Sequence, residues 1–237
     1  MEAWTGRTAR IVGQAGVARL ASSSVLVFGV GGVGGYAVEA LARAGVGRIG
    51  LVDNDTVSES NRNRQLVATT NTTGRLKTDV LRERVLSINP AATVDVYPLF
   101  YLPDNADVID FTPYDYIVDA VDTVAAKLAV IHRAKVCGKP VISAMGAGNK
   151  LGTEPFVIAD IAETHTCPLA KALRKRLKEE GITDVKVVYS TEKAIQPVLP
   201  AEEADDRVPG SISYVPGLCG LTVAGAVIRD LLREEAG

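Results

Sequence analysis

The sequence has few of the residues from which structural metal sites are built. Its 237 residues include three cysteines (Cys137, Cys167 and Cys219) and two histidines (His132 and His165), and no two cysteines have the Cys-x-x-Cys spacing. A structural zinc site needs four protein ligands, often paired in that way. The sequence therefore predicts no zinc site, and so few cysteines favour the reducing cytoplasm.

An excess of positive charge is also missing. The formal net charge is −2, so net charge alone does not attract nucleic acid, and we expect no DNA partner. Any contact with RNA must come from a local basic surface. One leucine-backed, helix-like segment is basic, and both a solvated helix face and an RNA contact remain open for it. Its cations are Lys171, Arg174, Lys175, Arg176 and Lys178.

Long hydrophobic runs are absent as well. The last apolar run, Val215 to Ile228, is shorter than the roughly 20 residues that span a membrane, and Arg229 and Asp230 follow it. This pattern is typical of a buried helix that carries Pro216 in its first turn. The sequence shows no signal-peptide pattern, so we expect a cytoplasmic protein without a transmembrane segment.

The sequence does contain a glycine-rich turn between a strand-like run and a helix-like run. Residues 29–34 read Gly-Val-Gly-Gly-Val-Gly. In such a turn Gly29 permits the bend, Gly31 lets the backbone approach a phosphate, and Gly34 allows helix and strand to pack closely. The N–H groups at the start of the helix then face an anion. Asp53 ends the next predicted strand, where a ribose-binding carboxylate is expected, so the pattern predicts a nucleotide site.

The residues after Asp53 favour a triphosphate over a dinucleotide. Residues 58–65 read Ser-Glu-Ser-Asn-Arg-Asn-Arg-Gln, and Lys77 follows. Arginine and lysine donors neutralise phosphate oxygens, whereas an NAD-dependent dehydrogenase needs no such cluster beside the ribose. Arg62 and Arg64 could also lie in a solvated loop, since surface arginines are common.

A second acidic strand end lies further along the chain. Asp122 follows a buried strand-like run at 116–121. It could cap the helix that begins near Val124, but Thr123 can do so instead and leave Asp122 at the edge where ligands bind. A carboxylate near a triphosphate is repelled unless a cation bridges them. For Asp122 we therefore favour contact with Mg²⁺ or with the nucleotide over capping, and we expect ATP with Mg²⁺.

Alternating strands and helices predict an α/β fold, specifically a Rossmann-like, doubly wound, mostly parallel sheet with a smaller C-terminal extension. Strands are expected near 24–29, 48–53, 93–97, 115–121 and 140–144. Helices are expected near 33–45, 74–88 and 124–137.

We expect three parts along the chain. Residues 1–21 form an N-terminal arm or helix, residues 22–152 the ATP-binding domain, and residues 153–237 a substrate-side extension of the same globular unit. In that extension, strands at 153–161 and 184–191 flank a basic helix at 167–180. The proline-rich and acidic residues 197–212 are expected to form a mobile loop.

Several motifs together resemble the ThiF/MoeB-type adenylating family, which is related to ubiquitin-activating enzymes. They occur in the family order at residues 29–34, 52–55, 61–65, 74–77, 88–90 and 119–122. The resemblance implies an enzyme in which a carboxylate attacks the α-phosphate of ATP to give an acyl-adenylate and pyrophosphate.

The resemblance also implies roles for individual residues. Asp53 would hold the ribose, Asn61 and Lys77 would contact phosphates together with Arg64, and Asp122 would accompany Mg²⁺. The nucleotide-binding set would be Gly29, Gly31, Gly32, Gly34, Asp53, Asp55, Asn61, Arg64, Gln65, Lys77 and Asp122. The catalytic set would be Arg64, Lys77, Asp122 and Arg7. Arg7 matches an arginine that reaches the partner subunit's nucleotide in family dimers, which implies a homodimer.

The second half of the chain is similar to the tRNA threonylcarbamoyladenosine dehydratase branch of this family. The similar segments are residues 146–150, 168–177, 189–192 and 210–216, whereas the paired zinc-binding cysteines of other branches are absent. The branch implies a tRNA substrate whose threonyl carboxylate is adenylated and cyclised. Some members carry a cysteine where this chain has Tyr214, and here Cys219 lies five residues later.

Three other functions remain open. One is an adenylating enzyme for a ubiquitin-like sulfur-carrier protein, with a possible sulfur-transfer partner. Another is a non-catalytic nucleotide-binding scaffold. The most distant is a dehydrogenase.

Overall fold

The structure, a computed structural model, describes residues 3–154, 156–198 and 208–233. It contains seven strands and six α-helices within these residues. The strands are β1 Ser24–Phe28, β2 Arg48–Val52, β3 Thr93–Tyr97, β4 Tyr116–Asp119, β5 Val141–Ala144, β6 Val157–Asp160 and β7 Lys186–Tyr189. The helices are α1 Gly6–Ser22, α2 Gly34–Ala44, α3 Lys77–Ile88, α4 Val124–Val136, α5 Pro168–Glu179 and α6 Val215–Leu232.

All seven strands form one sheet in the order β3-β2-β1-β4-β5-β7-β6. Every neighbouring pair is parallel except β6 and β7, which are antiparallel. The chain moves outward from β1 to β3 and then returns to place β4 on the other side of β1. The winding direction therefore reverses between β1 and β4, which is where open α/β sheets bind ligands. The predicted doubly wound, mostly parallel fold is confirmed.

The central strands are apolar because both of their faces are covered. All five residues of β1 and all four of β4 and of β5 are buried. A parallel strand covered on both faces needs a continuous apolar run rather than an alternating one. One core lies under α2, α3 and α6, and the other lies under α4 and α5.

The C-terminal part continues the same sheet. β7 pairs in parallel with β5, and β6 closes the edge. Both strands are shorter than expected, and the basic helix begins at Pro168. Residues 199–207 of the expected loop lie outside the described residues, while 197–198 and 208–212 have no helix or strand. The boundary at residue 152 stays a prediction.

Two helices differ from expectation. α1 is interrupted at Gly13, whose φ of 72° and ψ of 173° are not helical, a conformation that glycine adopts without a steric penalty. α6 extends to Leu232 and reaches 18 residues, a length and composition that could cross a membrane. Half of that helix is buried inside the protein, where it packs beside α2. We therefore assign it to the core.

Candidate functional site

A cavity of about 520 Å³ lies at the carboxyl ends of β1, β2 and β4. It occupies the point where the winding reverses, as expected for a ligand site in this fold. The structure brings ten of the predicted site residues to its wall: Gly29, Gly31, Gly32, Asp53, Asp55, Asn61, Arg64, Gln65, Lys77 and Asp122. Residues from five separate predicted motifs thus meet in one place.

The glycine-rich turn has the geometry that its spacing predicts. Gly29 has a φ of 79°, and a Cβ there would lie 2.7 Å from the Ala120 carbonyl oxygen. A Cβ at Gly34 would lie 1.8 Å from the Gly29 carbonyl oxygen, so α2 packs directly on the turn. The first helical hydrogen bond is donated by the Gly35 N–H to the Gly31 carbonyl, at 3.0 Å. The N–H groups that precede it form a helix N-terminus suited to an anion.

Asp53 connects the end of β2 to this turn. Its Oδ2 accepts a hydrogen bond from the Val30 N–H and its Oδ1 accepts one from the Asp55 N–H, each at 2.8 Å. Burial raises the pKa of the Asp53 carboxyl, although these two N–H donors and the nearby Lys77 act to lower it. A carboxylate has about four acceptor positions, so two remain for the hydroxyls of a ribose.

The two cations of the site differ in how they are paired. Lys77 Nζ lies 2.7 Å from Asp55 Oδ2, with a lysine side chain only 6% exposed. Arg64 donates through Nη1 to the Ser60 carbonyl at 3.1 Å and to Asn63 Oδ1 at 2.8 Å, and both partners are neutral. Arg64 therefore brings a charge that these contacts leave uncompensated, which suits it to a phosphate.

The neighbouring arginine behaves differently. Arg62 is exposed, pairs with Glu59 at 2.9 Å, and does not line the cavity. It lies in the solvated loop that was the alternative for both arginines. Asn61 is buried, and its Oδ1 accepts the Ser58 N–H at 3.2 Å, which fixes the turn that carries Arg64.

Asp122 is not a helix cap. Thr123 holds the N-cap position of α4 but makes no side-chain cap hydrogen bond, and Asp122 Oδ1 accepts only the Thr123 hydroxyl at 3.2 Å. The Asp122 carboxylate is exposed at the cavity wall. No group of three or more possible metal ligands occurs within the described residues. One carboxylate beside phosphate oxygens suits Mg²⁺, which rarely uses an all-protein cage.

Some cavity residues were not identified from the sequence. Leu99, Phe100 and Tyr101 follow β3 and add apolar surface, and Pro209 and Ser211 form another wall. Phe100 is 48% exposed although it is aromatic. The signal available in the sequence was the run of apolar and aromatic residues just after a predicted strand. Such surface can pack against a nucleotide base.

Gln65 adds an unsatisfied acceptor to the same wall. Its Oε1 is buried and is one of three buried side-chain polar atoms without a hydrogen-bond partner within the described residues. Burying such an atom without a donor costs about 1–3 kcal/mol. A ligand that donates a hydrogen bond would remove this cost.

Arg7 lies away from this cavity. It is exposed in the first turn of α1 and does not line the cavity of its own chain. Its predicted role depends on a partner subunit and stays a prediction.

The basic helix α5 is exposed at Lys171, Lys175, Arg176 and Lys178. Arg174 is half-buried, and its Nη1 donates to the Thr164 carbonyl at 2.8 Å. Part of the Arg174 guanidinium thus holds the turn before α5. RNA binding by this helix stays a prediction.

The cysteines are poorly placed for catalysis. Cys219 is fully buried within α6, and burial raises the pKa of its thiol to about 12. Cys167 is also buried and Cys137 is half-buried, and all three are free thiols. Because the thiolate is the reactive form, the buried Cys219 is poorly suited to a thiol-based step.

A larger cavity of about 1120 Å³ lies at the opposite edge of the sheet. It is lined by the first residues of β4, β5 and β7 and by Arg19, Lys135 and Lys139. These three cations donate to main-chain carbonyls. This cavity lies at the amino ends of the strands, away from the glycine-rich turn, so position rather than size identifies the candidate site.

The profile of the ThiF family matches residues 5–236. A tRNA threonylcarbamoyladenosine dehydratase from Bacillus subtilis is 42% identical over 237 aligned residues, covering 94% of this chain and 92% of that protein. A sulfur carrier protein adenylyltransferase from Thermus thermophilus is 40% identical but covers 55% of this chain and 48% of that protein.

Solved structures of a related dehydratase are also similar to nearly the whole of this chain. The crystal structure of an Escherichia coli tRNA N6-threonylcarbamoyladenosine dehydratase with AMP matches with a TM-score of 0.88 and 33% identity, covering 98% of this chain and 96% of that one. The same enzyme with ATP matches with a TM-score of 0.87 and 32% identity. The similarity thus extends over both halves of the chain.

Proposed function

The chain belongs to the ThiF family, and from this membership we propose that it is an ATP-dependent tRNA-modifying enzyme. It adenylates the threonyl carboxylate of threonylcarbamoyladenosine in tRNA and closes that group into a ring. The observation that supports this most directly is the cavity where the glycine-rich turn, Asp53, Arg64, Lys77 and Asp122 meet. The match with the dehydratases of Bacillus subtilis and Escherichia coli covers nearly the whole chain.

The first step makes a poor electrophile reactive. A carboxylate oxygen attacks the α-phosphorus of ATP, the bond to the β-phosphate breaks, and pyrophosphate leaves. The protein positions the two reactants and stabilises negative charge on the phosphates. Arg64 and Lys77 are placed for the second task because both line the cavity and carry positive charge.

The second step uses AMP as a leaving group. A nucleophilic atom of the same threonylcarbamoyl group attacks the activated carbonyl carbon, loses its proton, and expels AMP. The net change is loss of water from the nucleoside as ATP becomes AMP and pyrophosphate. Reaction within one held group benefits from a high effective molarity.

The residues present suit Mg²⁺ as an accompanying ion. Asp122 would hold it through its exposed carboxylate, and oxygens of the ATP phosphates would be further ligands. When bound, Mg²⁺ would neutralise phosphate charge during adenylation.

The function is tested by incubating the protein with ATP and tRNA that carries threonylcarbamoyladenosine. Mass spectrometry of nucleosides, prepared under mild conditions, should show a product that is lighter by one water. One AMP should form per converted nucleoside, and NAD should not replace ATP. Tight NAD binding without any ATP binding would contradict the adenylation chemistry.

The alternative adenylating function shares the first step but not the substrate. The sulfur-carrier adenylyltransferase of Thermus thermophilus aligns with about half of this chain. We therefore keep a sulfur-transfer protein as a partner in this alternative. For either function we propose a cytoplasmic location, which suits a tRNA substrate. Pyrophosphate release that depends on a carrier protein ending in Gly-Gly, and none with tRNA, would favour this alternative.

We propose that the protein works as a twofold symmetric homodimer. Arg7 does not line the cavity of its own chain, and a partner could bring its own Arg7 there. Sedimentation at micromolar concentration should give a dimer, and Arg7→Ala should lower adenylation while leaving the dimer intact. A monomer that is fully active would remove this role for Arg7.

We also propose that α5 contacts tRNA. Replacing Lys175 and Arg176 by Ala should weaken binding to all tRNA sequences and flatten the salt dependence by about one unit of slope per lost phosphate contact. Arg174 is a poorer probe because it also holds Thr164. The matched control also removes two exposed cations, but on other helices: Arg43 of α2 and Arg82 of α3. If both double variants weaken tRNA binding equally, α5 has only an ordinary solvated face and no specific contact with tRNA.

A further inference from the structure

A fully buried ion pair lies directly behind the candidate site. Lys127 of α4 and Asp119 at the end of β4 both have side chains with 0% exposure, and Lys127 Nζ lies 3.1 Å from Asp119 Oδ2. The same Asp119 oxygen accepts a hydrogen bond from the Ser143 hydroxyl. Lys127 also donates to the Ala144 carbonyl at 2.7 Å. The ammonium therefore joins the carboxyl ends of β4 and β5.

Stability alone does not explain such a pair. Two charges removed from water lose much of their hydration, and an apolar pair of similar volume is often equally stable or more stable. Within the described residues, Lys127 and Asp119 are the only charged residues with 0% exposure. A buried pair in this position is better explained by the structure that it holds in place.

That structure is the segment that carries Asp122. Asp119 Oδ1 accepts the Val121 N–H at 3.2 Å, and Ala120 and Val121 line the cavity together with Asp122. The Ala120 carbonyl also lies against Gly29, where a Cβ would approach it to 2.7 Å. The orientation of Asp119 therefore sets the path of residues 120–122 beside the glycine-rich turn.

We propose that Lys127 is a positioning residue for adenylation. It fixes the Asp119 carboxylate, which in turn holds residues 120–122 so that Asp122 faces the nucleotide. This inference rests on the proposed function, because it assigns Lys127 a part in that same site. Neither Lys127 nor Asp119 lines the cavity, so the effect must pass through the chain segment.

The test is a double-mutant cycle between Lys127→Met and Asp122→Ala, read as the single-turnover rate of AMP formation with ATP and tRNA. A misplacement of about 1 Å can lower a rate about 100-fold, so Lys127→Met should lower it ten- to hundredfold. If Lys127 acts through Asp122, the double variant should be no slower than Asp122→Ala alone. Losses that multiply, as they do for independent sites, would overturn the proposal. Lys127→Arg should recover part of the rate.

The matched control lies at the other end of the same strand. Tyr116 donates its hydroxyl to Asp230 at 2.8 Å, so Tyr116→Phe removes a partly buried hydrogen bond at the end of β4 that is away from residues 120–122. It should lower the denaturation midpoint without changing the rate of AMP formation. If it slows the reaction as much as Lys127→Met at equal loss of stability, the positioning role is excluded.

A milder variant covers the case in which Lys127→Met does not fold. Ser143→Ala removes one donor to Asp119 and keeps the charge pair. It should slow AMP formation several-fold, and this loss should again vanish in the Asp122→Ala background. If wild-type protein forms no AMP with tRNA, the proposed function is wrong. If the wild type is active and the cycle is additive, only the role of Lys127 is wrong.

Discussion

Arg64→Ala should lower the rate of adenylation about 100-fold or more, the effect of losing one preorganised charge contact to a transition state. Asp122→Ala should have an effect of similar size. Both side chains lie on the cavity wall, and neither belongs to an apolar core. The fold and the denaturation midpoint should therefore be retained. The measurement is single-turnover AMP formation beside a denaturant titration.

Arg62→Ala is the matched control for the arginine. It lies two residues before Arg64, pairs with Glu59 and does not line the cavity. Surface substitutions of this kind change stability by about 0.5 kcal/mol or less, and the reaction rate should remain near that of the wild type. Equal losses for Arg62→Ala and Arg64→Ala would show that the loop tolerates no change, and would withdraw the specific role of Arg64.

Gly34→Ala should abolish nucleotide binding and destabilise the protein by about 3 kcal/mol or more. The added Cβ would overlap main-chain atoms, which cannot move aside without distorting the turn. The added Cβ would lie 1.8 Å from the Gly29 carbonyl oxygen and 2.9 Å from its carbon. These are main-chain atoms of the phosphate-facing turn itself. Calorimetric titration with ATP and a denaturation curve measure the two effects.

The neighbouring glycine gives a close control. A Cβ at Gly35 would lie 3.4 Å from the Val30 carbonyl oxygen and 3.9 Å from Leu66 Cβ, which are ordinary contacts. Gly35→Ala should leave ATP affinity unchanged and add up to about 1 kcal/mol of stability, because alanine loses less freedom in a helix. If both variants bind ATP like the wild type, the close packing at Gly34 does not control the site.

The sequence by itself determined the fold class and indicated ten of the residues that line the candidate cavity. The alternation of apolar strands with helices predicted the doubly wound sheet, and strand β3 appears at its predicted bounds, 93–97. The glycine spacing predicted a turn whose steric demands are local, so a few adjacent residues are sufficient to define it. Charged residues that follow apolar strand-like runs stand out in the sequence because a strand's carboxyl end is where ligands bind. This criterion selected Asp53, Arg64, Lys77 and Asp122.

The charge pattern alone left Arg62 and Arg64 equivalent; the family resemblance selected Arg64, and the tertiary structure shows how the two differ. The two are nearly adjacent in the turn that follows the 3₁₀ helix Glu59–Asn61, and of the two Arg64 lines the cavity. Similarly, Arg174 belongs to a basic run in sequence, but its contact with Thr164 joins residues ten positions apart. Neither contact follows from local propensity.

The clearest case is Lys127. In the sequence it is one lysine within helix α4, and lysines are almost never fully buried. In the structure it is completely enclosed because α4 packs across β4 and β5, which brings Asp119, Ser143 and the Ala144 carbonyl to its ammonium. The sequence determined which chemical groups are present, because composition and spacing are local. The tertiary structure decided which of them meet, since residues far apart in the chain come together only when the sheet and helices pack.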